Sequence, residues 1–414
     1  MKTLISQAKI IDKRHAQNGQ MVDILVHDGV IEKIAKNIDA EVDEKIGGDH
    51  LCVSIGWMDM RANFQDPGHE YKEGLSNGLV VAAKSGFTAV ALSPDTKPVV
   101  DNKGAVEYLK NRAKGSGVDV FPIGAVSVDL KGKAMSEMYD MRQAGAVGFS
   151  DSKNPINESG LLHRALLYTA NFNAPVLHFP YDDQLIPNGQ MNEGPLSTSL
   201  GLKGIPTISE EMMVRRDLTL LEYTNGKLHL GPISSFKSLE LAQEAKSENL
   251  KVTTETTVAH LAFSENELAD FDTNFKLLPP LRSEKNRSKL IKALAEGKID
   301  VISSDHNPED EEHKKLEFDL AEFGMAGMEL FLPLVLKAAG GSIKLDELIS
   351  KFSIAPREIL GIAVPTIAEG EKANLTVFQA NAEFDSTNFM SKGFNIPEIS
   401  KGLKGKVVKT IYSN

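Results

Sequence analysis

The sequence predicts an α/β protein, a TIM-like (β/α)8 barrel accompanied by a small β-domain. Two observations predict this architecture. The middle of the chain alternates short apolar strands with amphipathic helical segments, and both ends of the chain carry β-prone runs. Repeated βα units favour a parallel sheet with right-handed crossovers, and eight such units fit a barrel. In a barrel of this kind, functional side chains lie at the C-terminal ends of the strands.

Each predicted barrel strand is a short apolar run. The first begins at Ser54 and ends in polar residues that lead into a turn. The other seven candidates span residues 88–92, 118–123, 146–149, 175–178, 227–230, 251–255 and 301–304. Helical segments fall between most of these strands, including residues 104–114, 235–248 and 283–296.

The two chain ends contain the remaining strand candidates. Residues 3–5 and 23–26 are β-prone, and His27-Asp28-Gly29 supplies a hairpin turn before the run 30–34. Near the other end, residues 374–378 and 405–412 have the same character.

Composition restricts the classes of partner. The chain has 414 residues and a formal net charge of -11, which disfavours nucleic acid and anionic membranes as partners. It contains no apolar run of membrane-spanning length, and its N-terminus lacks a signal-peptide pattern. The single cysteine, Cys52, excludes an internal disulfide. We therefore expect a cytoplasmic protein.

Seven segments of the chain carry a resemblance to a known family. They are Asp66-Pro67-Gly68 with residues 71–73 and 85–88, Ser93-Pro94-Asp95-Thr96-Lys97-Pro98, Gly148-Phe149-Ser150-Asp151, residues 192–206 with Arg216-Asp217, residues 254–261, Pro279-Pro280-Leu281-Arg282, and Ser304-Asp305-His306-Asn307-Pro308. In this order and spacing they resemble the class I type of dihydroorotase, within the amidohydrolase superfamily. The resemblance implies that residues 1–54 and 363–414 join into a small β side domain around a barrel of residues 55–362.

The resemblance also implies a chemistry. Dihydroorotases close and open the dihydroorotate ring, using a metal-polarised carbonyl, an activated water and an aspartate that moves the proton. In the family, the zinc ligands are a His-x-His pair on the first strand, a strand-four acid, a strand-five histidine and a strand-six histidine. The acid/base is a strand-eight aspartate.

Three of these six positions are altered here. The matching residues are Arg61 and Asn63 on the first strand, Asp151, His178, Pro232 on the sixth strand, and Asp305. Arg61 is the decisive change, because a guanidinium stays protonated and has no lone pair to donate. The amide of Asn63 is a poor zinc ligand, and Pro232 has no ligand atom. Asp151, His178 and Asp305 are retained, with Asp305 as a vestigial acid/base.

The positions that hold the substrate are altered too. Gln65 stands where the family has an arginine that pairs with the substrate carboxylate, so a bidentate contact is lost. Asp95 and Leu278 each replace an asparagine, and Glu309 replaces a histidine. The acidic run that begins at Glu309 is otherwise typical of a solvated loop.

Two arrangements of the retained groups are open. Asp151, His178 and Asp305 would suffice for one zinc ion. We favour the other arrangement, in which no cofactor binds and Arg61 takes the place of the metal, paired with Asp151 or Asp305. His229 and His260 are expected to be packed, hydrogen-bonded barrel residues.

Three functions follow from these arrangements. The first is a pseudoenzyme, and the resemblance to the family implies that it acts as a non-catalytic partner of aspartate transcarbamoylase or of a catalytic dihydroorotase. The second is an active dihydroorotase, or another cyclic-amide hydrolase, with a mononuclear site. The third is a small-molecule binding protein whose pocket is lined by Arg61, Asp95, Arg282 and Asp305. A homodimer is expected in each case.

Overall fold

The computed structural model describes residues 1–399 and 402–413. Its strands are β1 (Lys2–Ile10), β2 (Met21–His27), β3 (Val30–Ala35), β4 (Glu44–Ile46), β5 (Cys52–Ile55), β6 (Trp57–Ala62), β7 (Phe87–Leu92), β8 (Asp119–Gly124), β9 (Gly148–Phe149), β10 (Val176–His178), β11 (Met191–Asn192), β12 (Gly204–Ile205), β13 (Leu228–Leu230), β14 (Val252–Thr257), β15 (Val301–Ser303), β16 (Asn374–Glu383) and β17 (Lys404–Tyr412).

The α-helices follow most of the barrel strands. They are α1 (Leu75–Lys84), α2 (Lys103–Arg112), α3 (Met138–Ala144), α4 (Ser159–Ala170), α5 (Pro195–Leu200), α6 (Ile208–Thr224), α7 (Phe236–Ser247), α8 (Val258–Ala262), α9 (Glu284–Ala295), α10 (Glu311–Lys314), α11 (Phe331–Ala339), α12 (Leu345–Ser350) and α13 (Ala355–Leu360). The three predicted helices correspond to α2, α7 and α9.

Eight parallel strands form a nearly closed barrel, as the sequence predicts. Their order is β6-β7-β8-β9-β10-β13-β14-β15. The first and last strands meet through a parallel bridge between Ala62 and His306, and the Asn63 N–H donates to the His306 carbonyl at 2.9 Å. Every predicted barrel strand is present. Their C-terminal ends therefore share one rim, called here the barrel mouth.

A separate seven-stranded sheet is built from both ends of the chain. Strands β17, β16, β5, β1, β2 and β3 lie side by side, and β4 pairs with β1. The terminal β-runs thus share one sheet. The predicted first strand spans two sheets, because β5 belongs to this side sheet and β6 to the barrel. The chain passes between them at Gly56, where a Cβ atom would lie 2.1 Å from both Asn374 Oδ1 and Thr88 Oγ1.

Trp57 lies at the junction between the barrel and the side sheet. Its fully buried indole makes edge-to-face contacts with Phe87, Phe352 and Phe378, at centroid distances of 6.1, 5.3 and 5.4 Å. Burial of one aromatic side chain stabilises a fold by about 1.5–3 kcal/mol. Trp57 therefore helps to fix the direction in which β6 enters the barrel, and with it the positions of the polar residues at its end.

The described part of the chain contains no helix with the length and apolar character needed to cross a membrane.

Candidate functional site at the barrel mouth

Arg61 forms a buried ion pair with Glu255 across the barrel. Arg61 lies near the end of β6 and Glu255 in β14; their side chains are 7% and 0% exposed. Arg61 Nε donates to Glu255 Oε1, and Nη2 donates to the Gly231 carbonyl at 3.0 Å. The sequence-based expectation that Arg61 pairs with Asp151 or Asp305 is therefore wrong, because both donor groups point towards β13 and β14.

His229 and Gly231 complete the surroundings of this pair. His229 Nε2 lies 3.3 Å from Glu255 Oε2, and its Nδ1 lies 2.8 Å from Thr253 Oγ1. His229 is thus a packed, hydrogen-bonded residue, as expected. Gly231 permits the close approach of Glu255, since a Cβ at this position would lie 2.3 Å from Glu255 Cγ.

The ion pair keeps Glu255 ionised despite its burial. Desolvation alone would raise the pKa of this carboxyl group, but the Arg61 charge and the His229 hydrogen bond outweigh it and lower the pKa to about 2. Burial likewise works against the Arg61 charge, and Glu255 more than offsets it, so that the pKa of Arg61 is raised. The centre of the mouth thus holds a permanent positive charge that is already neutralised.

Asp305 is paired with a lysine that the sequence reasoning did not single out. Lys153 Nζ lies 2.7 Å from Asp305 Oδ2, and the two side chains are 20% and 9% exposed. Burial raises the pKa of Asp305, while Lys153 and Arg61 oppose the rise. The retained acid/base position therefore carries a carboxylate whose charge is balanced from within the chain.

Amide groups link the other altered positions. Asn63 Nδ2 donates to Asp95 Oδ2 at 3.0 Å and to Asn307 Oδ1 at 3.2 Å. Gln65 Nε2 also reaches Asn307 Oδ1, at 3.3 Å. Burial raises the pKa of Asp95. Asn63 therefore bridges Asp95 and Asn307, and Gln65 shares the Asn307 oxygen, whereas Asp95 Oδ1 is buried without a hydrogen-bond partner.

These groups nearly fill the barrel mouth. The cavity among them has a volume of about 10 Å³, and its lining residues are Arg61, Asn63, Ser93, Asp95, Ser152, Lys153, Asp305, His306 and Asn307. One enclosed water needs about 10–15 Å³, whereas pockets for small organic ligands measure about 300–1,000 Å³. This arrangement of side chains leaves room for at most one water.

Asp151 faces a neighbouring loop instead of this cavity. Its Oδ1 accepts from the backbone N–H groups of Val126 and Ser127 at 2.8 and 2.9 Å, and its Oδ2 accepts from Ser127 Oγ at 2.5 Å. Burial raises its pKa. Both carboxylate oxygens are thus engaged in anchoring the loop after β8.

His178 is also fully engaged. Its Nδ1 lies 2.6 Å from Asp217 Oδ2, and its Nε2 accepts from the Ile156 N–H at 3.1 Å. Arg216 holds the other oxygen of Asp217, with Nη2 to Oδ1 at 2.7 Å. Both ring nitrogens of His178 are hydrogen-bonded, and the residue is 1% exposed. His178 therefore links β10 to α6 and to the loop after β9.

The donor atoms at the mouth do not fit a zinc ion. Asp151 accepts hydrogen bonds from backbone N–H groups and the Ser127 hydroxyl, and His178 Nε2 accepts from the Ile156 N–H. Asp305 is paired with Lys153. Within residues 1–399 and 402–413, three carboxylate or imidazole side chains come within 4.8 Å of one another only at Glu309, Asp310 and His313. In that group Glu309 pairs with Lys72 at 2.5 Å.

The remaining predicted residues lie outside the mouth cavity. Leu278 packs against Phe179 and Tyr181. Glu309 is 4% exposed, so it is a buried ion-pair partner and not part of a solvated loop. Arg282 does not line the predicted pocket, since its Nη1 donates to Asn192 Oδ1 and to the Ile205 carbonyl, at 3.0 and 2.7 Å.

Three residues of the site were missed by sequence reasoning. Glu255 had a usable signal, because a charged residue inside a buried strand requires a partner of opposite charge. Lys153 and Asn307 stand in loops next to the retained Asp151 and Asp305. Their roles depend on how those loops fold over the mouth.

The barrel and its side sheet together match solved structures of known architecture. The L-hydantoinase (dihydropyrimidinase) from Arthrobacter aurescens superposes with a TM-score of 0.84 at 22% identity, over 99% of this chain and 94% of that one. The protein thus has the architecture of the amidohydrolases, a barrel with an attached β-domain, and the amidohydrolase family profile matches residues 209–413.

The sequence comparisons define the family more closely. The dihydro-orotase-like profile matches residues 51–238. The chain is 40% identical to a dihydroorotase of Acetivibrio thermocellus over 413 residues, covering 99% of this chain and 97% of that protein. It is 39% identical to a dihydroorotase of Ruminiclostridium cellulolyticum over 402 residues, covering 96% and 94%. The chain belongs to the dihydroorotase-like family of amidohydrolases.

Proposed function

We propose that this protein is a dihydroorotase-like pseudoenzyme of pyrimidine biosynthesis, which acts as a non-catalytic partner of another enzyme of that pathway, such as aspartate transcarbamoylase. One observation carries the proposal. The buried Arg61–Glu255 ion pair occupies the centre of the mouth, where the resemblance places metal-ligating histidines. Removal of either charge would leave the other buried without its partner.

The chemistry of the family requires groups that this mouth does not offer. Cyclisation of carbamoyl aspartate needs polarisation of a carboxyl carbon and a base that accepts a proton from the ureido nitrogen. Asp305 is the candidate base, but Lys153 holds its carboxylate at 2.7 Å. Gln65 offers a neutral amide to a dianionic substrate, and Asp95 would repel it.

An active enzyme with one metal ion is the second candidate. The relatives favour it, since proteins 40% and 39% identical to this chain carry the name dihydroorotase. In this alternative, Asp151, His178 and Asp305 hold one zinc ion, and His178 Nε2 must first release the Ile156 N–H. The ion would supply Lewis-acid polarisation of the substrate carbonyl.

The test combines metal content and turnover on the same samples. The purified chain is loaded with zinc, dialysed and analysed for bound metal, and then assayed with carbamoyl aspartate and with dihydroorotate. We expect near-zero zinc and no turnover above background in either direction. About one zinc ion per chain that is lost in His178→Ala, together with turnover that is lost in Asp305→Asn, would establish the active alternative.

The partner is tested separately. The chain is mixed with aspartate transcarbamoylase from the same organism and examined by size-exclusion chromatography at micromolar concentration. We expect co-elution. Two independently eluting proteins would reject that partner, and the same experiment would then be made with a catalytic dihydroorotase. A thermal shift with dihydroorotate addresses the third function, the small-molecule binding protein, for which the 10 Å³ cavity predicts no shift.

A further inference from the structure

The barrel sheet has two ends, and they face each other along one line. Strands β6 and β15 are the first and last strands of the eight-stranded order. Between them, the Asn63 N–H donates to the His306 carbonyl at 2.9 Å, and Asp59 Oδ1 accepts from the Ser304 N–H at 3.2 Å. This line is called here the seam. It leads into the barrel mouth, because Asn63 and His306 both line the mouth cavity.

A segment outside the barrel crosses the seam at the mouth. Residues 389–396, called here the strap, belong to the connection between β16 and β17 of the side sheet. On one side of the seam, Ser391 Oγ donates to Glu73 Oε2, in the loop after β6. On the other side, the Phe394 N–H donates to the Glu309 carbonyl at 2.7 Å, in the loop after β15. The strap therefore links the two loops that flank the seam.

Asn395 anchors the strap to the loop after β15. This residue is 0% exposed; its Nδ2 donates to the Asn307 carbonyl at 2.9 Å, and its Oδ1 accepts from the Glu309 N–H at 2.8 Å. Its own carbonyl accepts from the Ala326 N–H at 3.1 Å. Because Asn307 also receives a hydrogen bond from the Asn63 side chain, at 3.2 Å, a single residue separates the strap from the groups that fill the mouth.

Glu73 connects the other side of the strap to the seam. Its carboxylate is buried; Oε1 accepts from the Lys392 N–H at 3.3 Å, and Oε2, which accepts from Ser391, lies 3.2 Å from His306 Nε2. Burial opposes the charge of Glu73, but the hydrogen bonds from His306 and Ser391 outweigh it and lower the pKa of the carboxyl group. The strap thus helps to satisfy a buried carboxylate whose other partner forms the upper bond of the seam.

The middle of the strap is held mainly by hydrogen bonds. The side chains of Met390 and Phe394 are 43% and 45% exposed. Phe389 and Ile396, at the two ends, are the apolar side chains that pack against the barrel core. A segment with few buried apolar contacts opens at a lower free energy than the core of its domain. The middle of the strap can therefore detach while its two ends stay in place.

We propose that the strap holds the barrel mouth closed, and that its release opens the seam and the mouth together. With the strap in place, the cavity at the mouth has a volume of about 10 Å³. Detachment removes the contacts of Asn395 with Asn307 and Glu309, and so frees the loop after β15 to move away from the loop after β6. This inference concerns access to the mouth, and does not depend on whether its residues are catalytic.

Native-state hydrogen exchange of the full chain, followed amide by amide by NMR, tests the proposal. The Phe394 and Glu309 amides report on the strap, and the Asn63 amide reports on the seam. The Val176 N–H, which donates to the Lys227 carbonyl at 3.0 Å between β10 and β13, reports on the barrel away from the seam. We expect the three strap and seam amides to have protection factors within about threefold of one another, and at least about tenfold below that of Val176.

An Asn63 amide that is as strongly protected as the Val176 amide would overturn the proposal, because the seam would then open only when the whole chain unfolds.

Replacement of Asn395 by alanine separates a role in closing the mouth from a merely local one. Asn395→Ala removes both side-chain hydrogen bonds of this residue. We expect it to lower the protection of the Asn63 amide at least about tenfold, and to leave that of Val176 within about threefold of the wild type. The Asn63 N–H makes its bond across the seam and not with the strap. A purely local role would therefore change the Glu309 amide and leave Asn63 as it is, which would also overturn the proposal.

Two further variants complete the test. Ser391→Ala acts from the other side of the seam, and is expected to lower the protection of the Asn63 amide at least about threefold; it carries the test alone if Asn395→Ala does not fold. Asn388→Ala is the matched control, since Asn388 is exposed in the same connection and its Nδ2 donates to Asp385 Oδ2 at 3.2 Å. It is expected to change neither reporter. The proposal is rejected if Ser391→Ala leaves the Asn63 amide unchanged, or if the control lowers its protection equally.

Discussion

Replacement of Arg61 by methionine tests the central feature of the barrel mouth. Methionine keeps much of the side-chain volume but removes the guanidinium. Glu255 would then remain 0% exposed, with His229 at 3.3 Å as its nearest polar side-chain partner. We expect a loss in the free energy of unfolding, because a buried carboxylate without its counter-charge is costly.

The size of the loss follows from two independent considerations. The pKa of Glu255 falls from the ordinary 4.5 to about 2 in the folded state, which corresponds to about 3 kcal/mol of stabilisation at neutral pH. Breaking a buried ion pair by removal of one partner costs about 3–5 kcal/mol in other proteins. For Arg61→Met we therefore expect a loss of about 3–5 kcal/mol at pH 7.5.

The sign of the pH dependence adds a second criterion. In the wild type, the contribution of Glu255 is present above pH 4.5 and is lost as the pH falls towards 2. In Arg61→Met, burial is expected to dominate and to raise the pKa of Glu255. As the pH falls, Glu255 is then protonated, and the free-energy cost of burying its charge disappears. The stability deficit of the variant should thus be larger at pH 7.5 than at pH 4.5.

Urea unfolding followed by tryptophan fluorescence measures this deficit, since Trp57 lies at the base of β6. Lys103→Met is the matched control. It removes an exposed cation whose Nζ lies 3.7 Å from Glu107 Oε1, and is expected to cost less than about 0.5 kcal/mol. The reasoning is refuted if Arg61→Met costs below about 1 kcal/mol, or if its deficit is the same at both pH values.

Two further predictions concern Gly231, which packs against Glu255, and Lys314, a buried lysine at the end of α10. Gly231→Ala should destabilise the protein by about 1–3 kcal/mol in thermal unfolding, because the new methyl group would lie 2.3 Å from Glu255 Cγ; an unchanged midpoint would contradict this. Lys314 is fully buried, and burial lowers its pKa to about 7. The folded state therefore loses this proton before the unfolded state does, and stability should contain a term that rises between pH 7 and 10. Lys314→Met should abolish that term, and an equal slope in both proteins would contradict the assignment.

The fold was predictable because each barrel strand is a local apolar signal. Strands β7, β8 and β13 coincide with their predicted runs to within a residue or two. The β11–β12 ribbon was not predicted, since each of its strands has only two residues. The break at Gly56 was missed as well. A continuous apolar run does not reveal that its two halves pair with different sheets.

The sequence indicates which residues lie at the barrel mouth, but it does not indicate which of them form ion pairs with one another. Arg61, Asn63, Asp95 and Asp305, which the resemblance to the family groups at the mouth, line one cavity. The resemblance does not give the partner of Arg61, because Glu255 stands 194 residues away in the chain. The choice between Asp151, Asp305 and Glu255 depends on rotamers and on strand stagger, which no local pattern of residues encodes.

The pairings at the mouth determine what a substitution towards the family's metal ligands would cost in stability. Arg61, Glu255 and Gly231 form one unit, in which the glycine admits the carboxylate and the carboxylate holds the guanidinium. A single change such as Arg61→His would remove the stabilising charge from Glu255 without supplying the missing ligands at Asn63 and Pro232. A change of Arg61 to the histidine of the family would therefore pass through a less stable protein.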